Sequence, residues 1–238
     1  MNIYIWNKYT PDGQAVNITQ NRFGEIVERD FDISKNGDVI FACKHPPDGV
    51  KKGVYLIPHT EFLKAEPRAT LVALSANQPS WLPDGEKVAF VEHHKVYVQT
   101  IATGKRVIFD IIGNYPTVSP DGRYMVVGRS FFGSVNQIEI YSLTTLRLID
   151  KIEPTHYVFP TDFKWSPDGA HVVLTRLVGR EHYAFPFDRR TRKFRTQVEF
   201  LDQGIFDNPI VTYDWTHVGA YPVEPTDRLT TLWGKIKQ

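Results

Sequence analysis

Apolar positions fall in short runs rich in Val, Ile, Tyr and Phe, each bounded by Pro, Asp, Asn or Gly. Such runs span Asp38–Cys43, Gly53–Ile57, Lys87–Val91, Lys95–Ile101, Tyr124–Val127, Gln137–Leu143, Ala170–Thr175 and Lys193–Phe200. No long stretch keeps helical spacing. Leu229, Leu232, Trp233 and Ile236 fit it over barely two turns, but β-branched Thr230 and Thr231 and the interrupting Gly234 favour a strand at least as well. The pattern predicts an all-β chain.

The runs repeat in a fixed phase. Thr117-Val118-Ser119-Pro120-Asp121-Gly122 followed by Arg123–Val127 matches Lys164-Trp165-Ser166-Pro167-Asp168-Gly169 followed by Ala170–Leu174. Ser80-Trp81-Leu82-Pro83-Asp84-Gly85 is a third copy, and Asp32-Ile33-Ser34-Lys35-Asn36-Gly37 a degenerate one. Each reads as strand, tight turn, strand: Pro presets φ, Asp bonds its own backbone, and Gly accepts positive φ. Two further strand-like runs follow, for instance Val96–Ile101 with Arg106–Ile111, and Gln137–Leu143 with Leu146–Ile152. Four strands per repeat describe a blade of a β-propeller.

A fifth copy is read at Val223–Leu232, after an insertion at 201–219. Five units of about 47 residues account for the 238 of the chain, so a single five-bladed domain over 1–238 is expected. Runs at Ile3–Trp6 and Ala15–Thr19, joined by Pro11-Asp12-Gly13, look like the outer hairpin of a blade whose inner pair is C-terminal. Pairing the two ends would close the ring and remove its open edges. A β-sandwich offers as many strands but does not predict Pro-Asp-Gly at a fixed phase.

The apolar-Ser-Pro-Asp-Gly repeat, with its short apolar strand, resembles the WD40-like PD40 repeat of TolB-type β-propellers over almost the whole chain. The motif is architectural. The resemblance implies an interaction scaffold, often of the bacterial cell envelope or periplasm; related repeats also form the gating propeller of prolyl-oligopeptidase-type enzymes.

Composition narrows the field. Lys and Arg number 28 against 27 Asp and Glu, a net charge of +1, which argues against a general nucleic-acid or polybasic membrane binder. Cys43 is the one cysteine, so intramolecular disulfides and multi-cysteine metal sites are excluded, and its apolar strand points to an inert core thiol. No basic-then-apolar leader opens the chain at Met1–Lys8, and no apolar run nears the ~20 residues of a membrane helix. A soluble monomer is expected, its compartment open between the envelope that the resemblance implies and the cytoplasm.

Catalytic motifs are missing. There is no Gly-x-Ser-x-Gly, no phosphate loop and no His-Glu-x-x-His, and the pair His93-His94 reads as an exposed turn. Neither cofactor nor metal is expected. The residues leading into each first strand should line one mouth of the channel: Arg29 and Asp30, Asn77 and Gln78, Asn114 and Tyr115, Thr161 and Asp162, and Tyr221. Capping of channel strands with bound water accounts for such a set; a protein, peptide, small-molecule or glycan site is the functional alternative. The insertion adds Trp215 and His217 over that face, as partner anchors or as blade packing. A non-enzymatic scaffold is the first reading. The second is a carbohydrate-active enzyme with Asp30 and Asp162 meeting across the channel, since five-bladed glycosidases use paired carboxylates there. The run Arg189–Arg195, with five cations in seven residues, reads as a solvated turn, an acidic protein or anionic polymer being the alternative.

Overall fold

The computed structural model describes residues 2–5, 15–131, 134–153, 160–166, 168–176, 182–195 and 199–201. The turn Pro11-Asp12-Gly13, the insertion beyond Leu201 and the copy at Val223–Leu232 lie outside them. A hairpin of β1 (Tyr4–Ile5) and β2 (Val16–Asn17) opens the chain. Four antiparallel sheets follow, each built from strands consecutive in sequence. Sheet 1 comprises β3 (Glu25–Ile33), β4 (Val39–His45), β5 (Gly53–Ile57) and β6 (Thr70–Leu74). Sheet 2 comprises β7 (Ala76–Trp81), β8 (Lys87–Glu92), β9 (Lys95–Thr100) and β10 (Arg106–Ile112). In sheet 3 the strands are β11 (Asn114–Val118), β12 (Tyr124–Phe131), β13 (Ser134–Ser142) and β14 (Leu148–Ile152). Sheet 4 holds β15 (Pro160–Trp165), β16 (His171–Arg176) and β17 (His182–Asp188), with β18 (Lys193–Phe194) and β19 (Glu199–Leu201) both on β17.

The repeat maps onto this plan in phase: each Pro-Asp-Gly or Asn-Gly turn joins the first strand of a sheet to the second. One strand differs from expectation. Lys193–Phe200 is two strands, pairing Phe187 with Phe194 and Tyr183 with Phe200. Pro186 is the reason: its carbonyl accepts the Arg195 N–H at 2.8 Å, but proline has no N–H to return, so the ladder stops there.

Strand alternation explains why the sheets stack. In β4, Val39, Phe41 and Cys43 pack with Ile3, Ile18 and Phe23 of the N-terminal segment, while Ile40 and Ala42 pack with Trp81, Val88 and Phe90 of sheet 2. Both faces are buried, hence the unbroken apolar run. Val91, Val96 and Phe109 of sheet 2 meet Val118, Met125 and Val127 of sheet 3. Val126, Ile138 and Ile140 of sheet 3 meet Phe163, Trp165, Leu174 and Phe185 of sheet 4. The N-terminal hairpin thus covers the face of sheet 1 turned away from sheet 2. Cys43 is fully buried with Sγ 2.9 Å from the Phe23 carbonyl, and burial pushes its thiol up, as an inert core residue requires. Among the described residues no helix is long and apolar enough to cross a membrane.

Candidate functional site at the first strands

Every first strand carries a register shift near its leading end: between Ile26 and Phe31, Asn77 and Ser80, Asn114 and Thr117, and Pro160 and Asp162. In sheets 2 and 3 the cause is legible, because Pro79 and Pro116 supply no ladder N–H. The residue before each proline, Gln78 or Tyr115, is held at positive φ, 52° and 55°. For side chains of this size such backbone costs on the order of 1–2 kcal/mol.

The first strands align in common phase. Phe163 and Trp165 of β15 turn back onto sheet 3, and Trp81 of β7 onto sheet 1. The alternate positions are polar: Asp30, Gln78, Tyr115 and Asp162 form one set, and Asp32, Ser80, Thr117 and Lys164 form the next. Asp32 and Gln78 reach the following first strand. The Trp81 N–H donates to Asp32 Oδ2 at 2.7 Å, and the Tyr115 N–H to Gln78 Oε1 at 2.8 Å. Side chains of one sheet thereby satisfy amides on the inner edge of the next. Across the stack, Lys164 Nζ of sheet 4 lies 3.9 Å from Asp32 Oδ1 of sheet 1.

Gln78, Ser80, Tyr115, Thr117, Phe163 and Lys164, with Pro79 and Pro116, line a shallow recess. The Tyr115 ring stands edge-on to Phe163 at 6.1 Å. Gln78 and Tyr115 are thus expected site residues that the fold brings together. Asn77 and Asn114 lie beside them, half-buried in pairs with Val91 and Gly128. Asp30 is 1% exposed and is not among the recess lining; its Oδ2 lies 2.6 Å from Lys44 Nζ on the adjacent strand. Arg29 and Asp162 sit on β3 and β15, their side chains outside the described set; Trp215, His217 and Tyr221 lie wholly outside it. Ser80, Thr117, Phe163 and Lys164 are additions. For Ser80, Thr117 and Lys164 the signal was a fixed step, two residues past Gln78, Tyr115 and Asp162; Phe163 lies at no such step.

No family model matches the chain. Putative TolB from Agrobacterium tumefaciens superposes with a TM-score of 0.56 at 21% identity, over 83% of this chain and 72% of that one. The fold is that of the TolB-like, WD40-like β-propellers. An auxiliary nutrient binding protein from Bacteroides thetaiotaomicron has a TM-score of 0.54 at 11% identity, covering 79% of this chain and 43% of that one. Kuenenia stuttgartiensis hydrazine synthase has a TM-score of 0.52 at 16% identity, over 76% of this chain. The present chain spans about half of that synthase chain, 52%.

Proposed function

We propose that the chain is a single propeller of five blades, closed by its two ends, that binds a protein, peptide or small ligand at the recess on its first strands and has no chemistry of its own. One observation carries the reading: Gln78 and Tyr115 adopt the same costly backbone at the same step of successive blades. They are hydrogen-bonded to each other and open on Phe163 and Lys164. Strain repeated at one rim is a feature of sites that present side chains to a ligand. A mixed lining of amide, hydroxyls, aromatic rings and one ammonium suits recognition more than bond cleavage. The partnered state of Asp30 weighs against the paired-carboxylate alternative. The Bacteroides neighbour is itself a nutrient-binding protein, and the TolB resemblance supports a cell-envelope setting over the cytoplasm.

The full chain used as bait in a native lysate tests this. Tyr115→Ala and Lys164→Ala should each deplete the specifically captured species about tenfold, as truncation of an interface anchor does. Trp215→Ala reports on the inserted segment, and Lys105→Ala on a distant turn should change nothing. A captured set untouched by both Tyr115→Ala and Lys164→Ala would defeat the reading.

A further inference from the structure

In each sheet the turns joining first to second and third to fourth strands lie at the same end, and charge is unevenly spread there. Counted with the strand residue at either end, these turns carry six cations against five carboxylates on sheets 1 and 2, and six against three on sheets 3 and 4. The sequence alone showed only the run after Asp188. The fold adds Arg123 and Arg147 from the two turns of sheet 3, at the same end of the neighbouring blade.

The three carboxylates are consumed within the turns. Asp121 accepts from Ser119, the Arg123 N–H and Arg189; Asp168 from Ser166 and the Ala170 N–H; Asp188 from the Arg190 and Thr191 amides. Arg189 is no free solvated residue either: it spans the turns of both sheets, to Asp121 Oδ2 at 2.6 Å and the Asp168 carbonyl at 3.1 Å. Among the described residues the exposed side chains of Arg190, Arg192 and Lys193 form no ion pair within 4.0 Å, Arg190 acting on Asp188 only at longer range. Their turn is firmly held. The Arg192 N–H donates to the Asp188 carbonyl at 2.7 Å, and the Phe194 N–H to Asp150 Oδ2 of sheet 3 at 2.8 Å.

We propose that this end of sheets 3 and 4 is a docking surface for an acidic segment of a partner protein. Guanidinium forks pair with carboxylates in two parallel hydrogen bonds, and the turn backbone that carries them is already ordered. Leu146 and Leu148, 44% and 47% exposed on the adjoining turn and strand, add apolar contact beside Arg147. Single-stranded nucleic acid fits less well, since it stacks on exposed aromatic rings. The ring here, Phe194, is packed on Phe187 at 5.7 Å. The surface is independent of the recess.

Fluorescence anisotropy of the full chain with a labelled deca-glutamate peptide tests the proposal. Binding is expected at 50 mM salt, weakening about tenfold at 200 mM. The Arg190→Glu/Arg192→Glu/Lys193→Glu triple variant should lose at least about tenfold in affinity. Lys64→Glu/Lys105→Glu, on the turns of sheets 1 and 2, should match the unaltered chain. The corresponding glutamine triple carries the comparison if the glutamates unfold the turn. Absence of binding at 50 mM salt, or equal binding by the triple variants, overturns the proposal. So does tighter binding of a twenty-residue oligothymidylate or of phosphatidylcholine vesicles with a quarter phosphatidylserine.

Discussion

The serine of Ser-Pro-Asp-Gly performs two tasks at once. Ser119 Oγ accepts the Tyr124 N–H at 3.0 Å and donates to Asp121 Oδ1 at 2.6 Å, and Ser166 treats the His171 N–H and Asp168 alike. Where Leu82 replaces it, Asp84 turns to the Glu86 and Lys87 amides and to Lys87 Nζ at 2.6 Å. Burial alone would raise Asp121, but hydrogen bonds from Ser119, Arg189 and the Arg123 N–H outweigh it and hold the carboxyl below its ordinary range. A carboxyl depressed in this way stabilises the fold above its unfolded value near 3.8, and that contribution is lost as pH falls through the folded value. Ser119→Ala should therefore cost about 1–2 kcal/mol near pH 7, from a buried amide and a carboxylate each losing a partner. Urea midpoints between pH 7 and 2.5 should show the deficit narrowing below about pH 4. A deficit that is constant or grows in acid would mean the serine does not act through Asp121. The turn itself is local to six residues and was legible in the sequence as Pro, Asp and Gly; the serine's double role and the reach of Arg189 from the next sheet were not.

Between neighbouring sheets the contacts are longer in range, and two tryptophans measure them. Trp81 and Trp165 occupy the same step of β7 and β15, at 7% and 5% exposure. The Trp165 indole N–H donates to the Thr117 carbonyl of sheet 3 at 3.3 Å; the buried Trp81 indole N–H has no partner among the described residues. Replacement by phenylalanine removes similar volume at both sites but a hydrogen bond at only one. Trp165→Phe should cost about 1 kcal/mol more than Trp81→Phe in denaturant unfolding. Equal costs, or the reverse order, would show that the indole hydrogen bond contributes nothing to the joint. Such contacts mark the limit of what the sequence discloses. Strands were readable because alternation and Pro-Asp-Gly turns are local, down to Gly53–Ile57 matching β5 end to end. The division at Pro186 was not, since it depends on which edge of β17 the proline faces. Gln78 and Tyr115 were readable as a phase in the repeat, whereas their mutual hydrogen bond required the offset between two sheets. The position of Asp30 was readable in the repeat, whereas its pairing with Lys44 required the register of β3 on β4.

For the molecule as a whole the question is how far the stack of sheets curls. Sheets 1 and 4 are separated by two others, yet Asp32 and Lys164 stand 3.9 Å apart on their first strands, at 11% and 14% side-chain exposure. Four sheets stacked straight would hold these strands tens of ångströms apart, at about 10 Å per packed sheet. The ion pair therefore reports convergence on a common axis. Asp32 also accepts the Ile33 and Trp81 amides, so Asp32→Asn should cost about 1–3 kcal/mol through those bonds alone. The part due to Lys164 is separable by a double-mutant cycle with Lys164→Met. At this distance and partial burial the coupling should be about 1 kcal/mol, with the double variant more stable than the sum of the single costs implies. The coupling should shrink in high salt only modestly, because both groups are largely shielded from solvent. Costs that add to within about 0.5 kcal/mol would mean the two strands do not meet in solution. A measured coupling would bring the first strands of sheets 1 and 4 to one axis, the arrangement that the closed propeller proposed above requires.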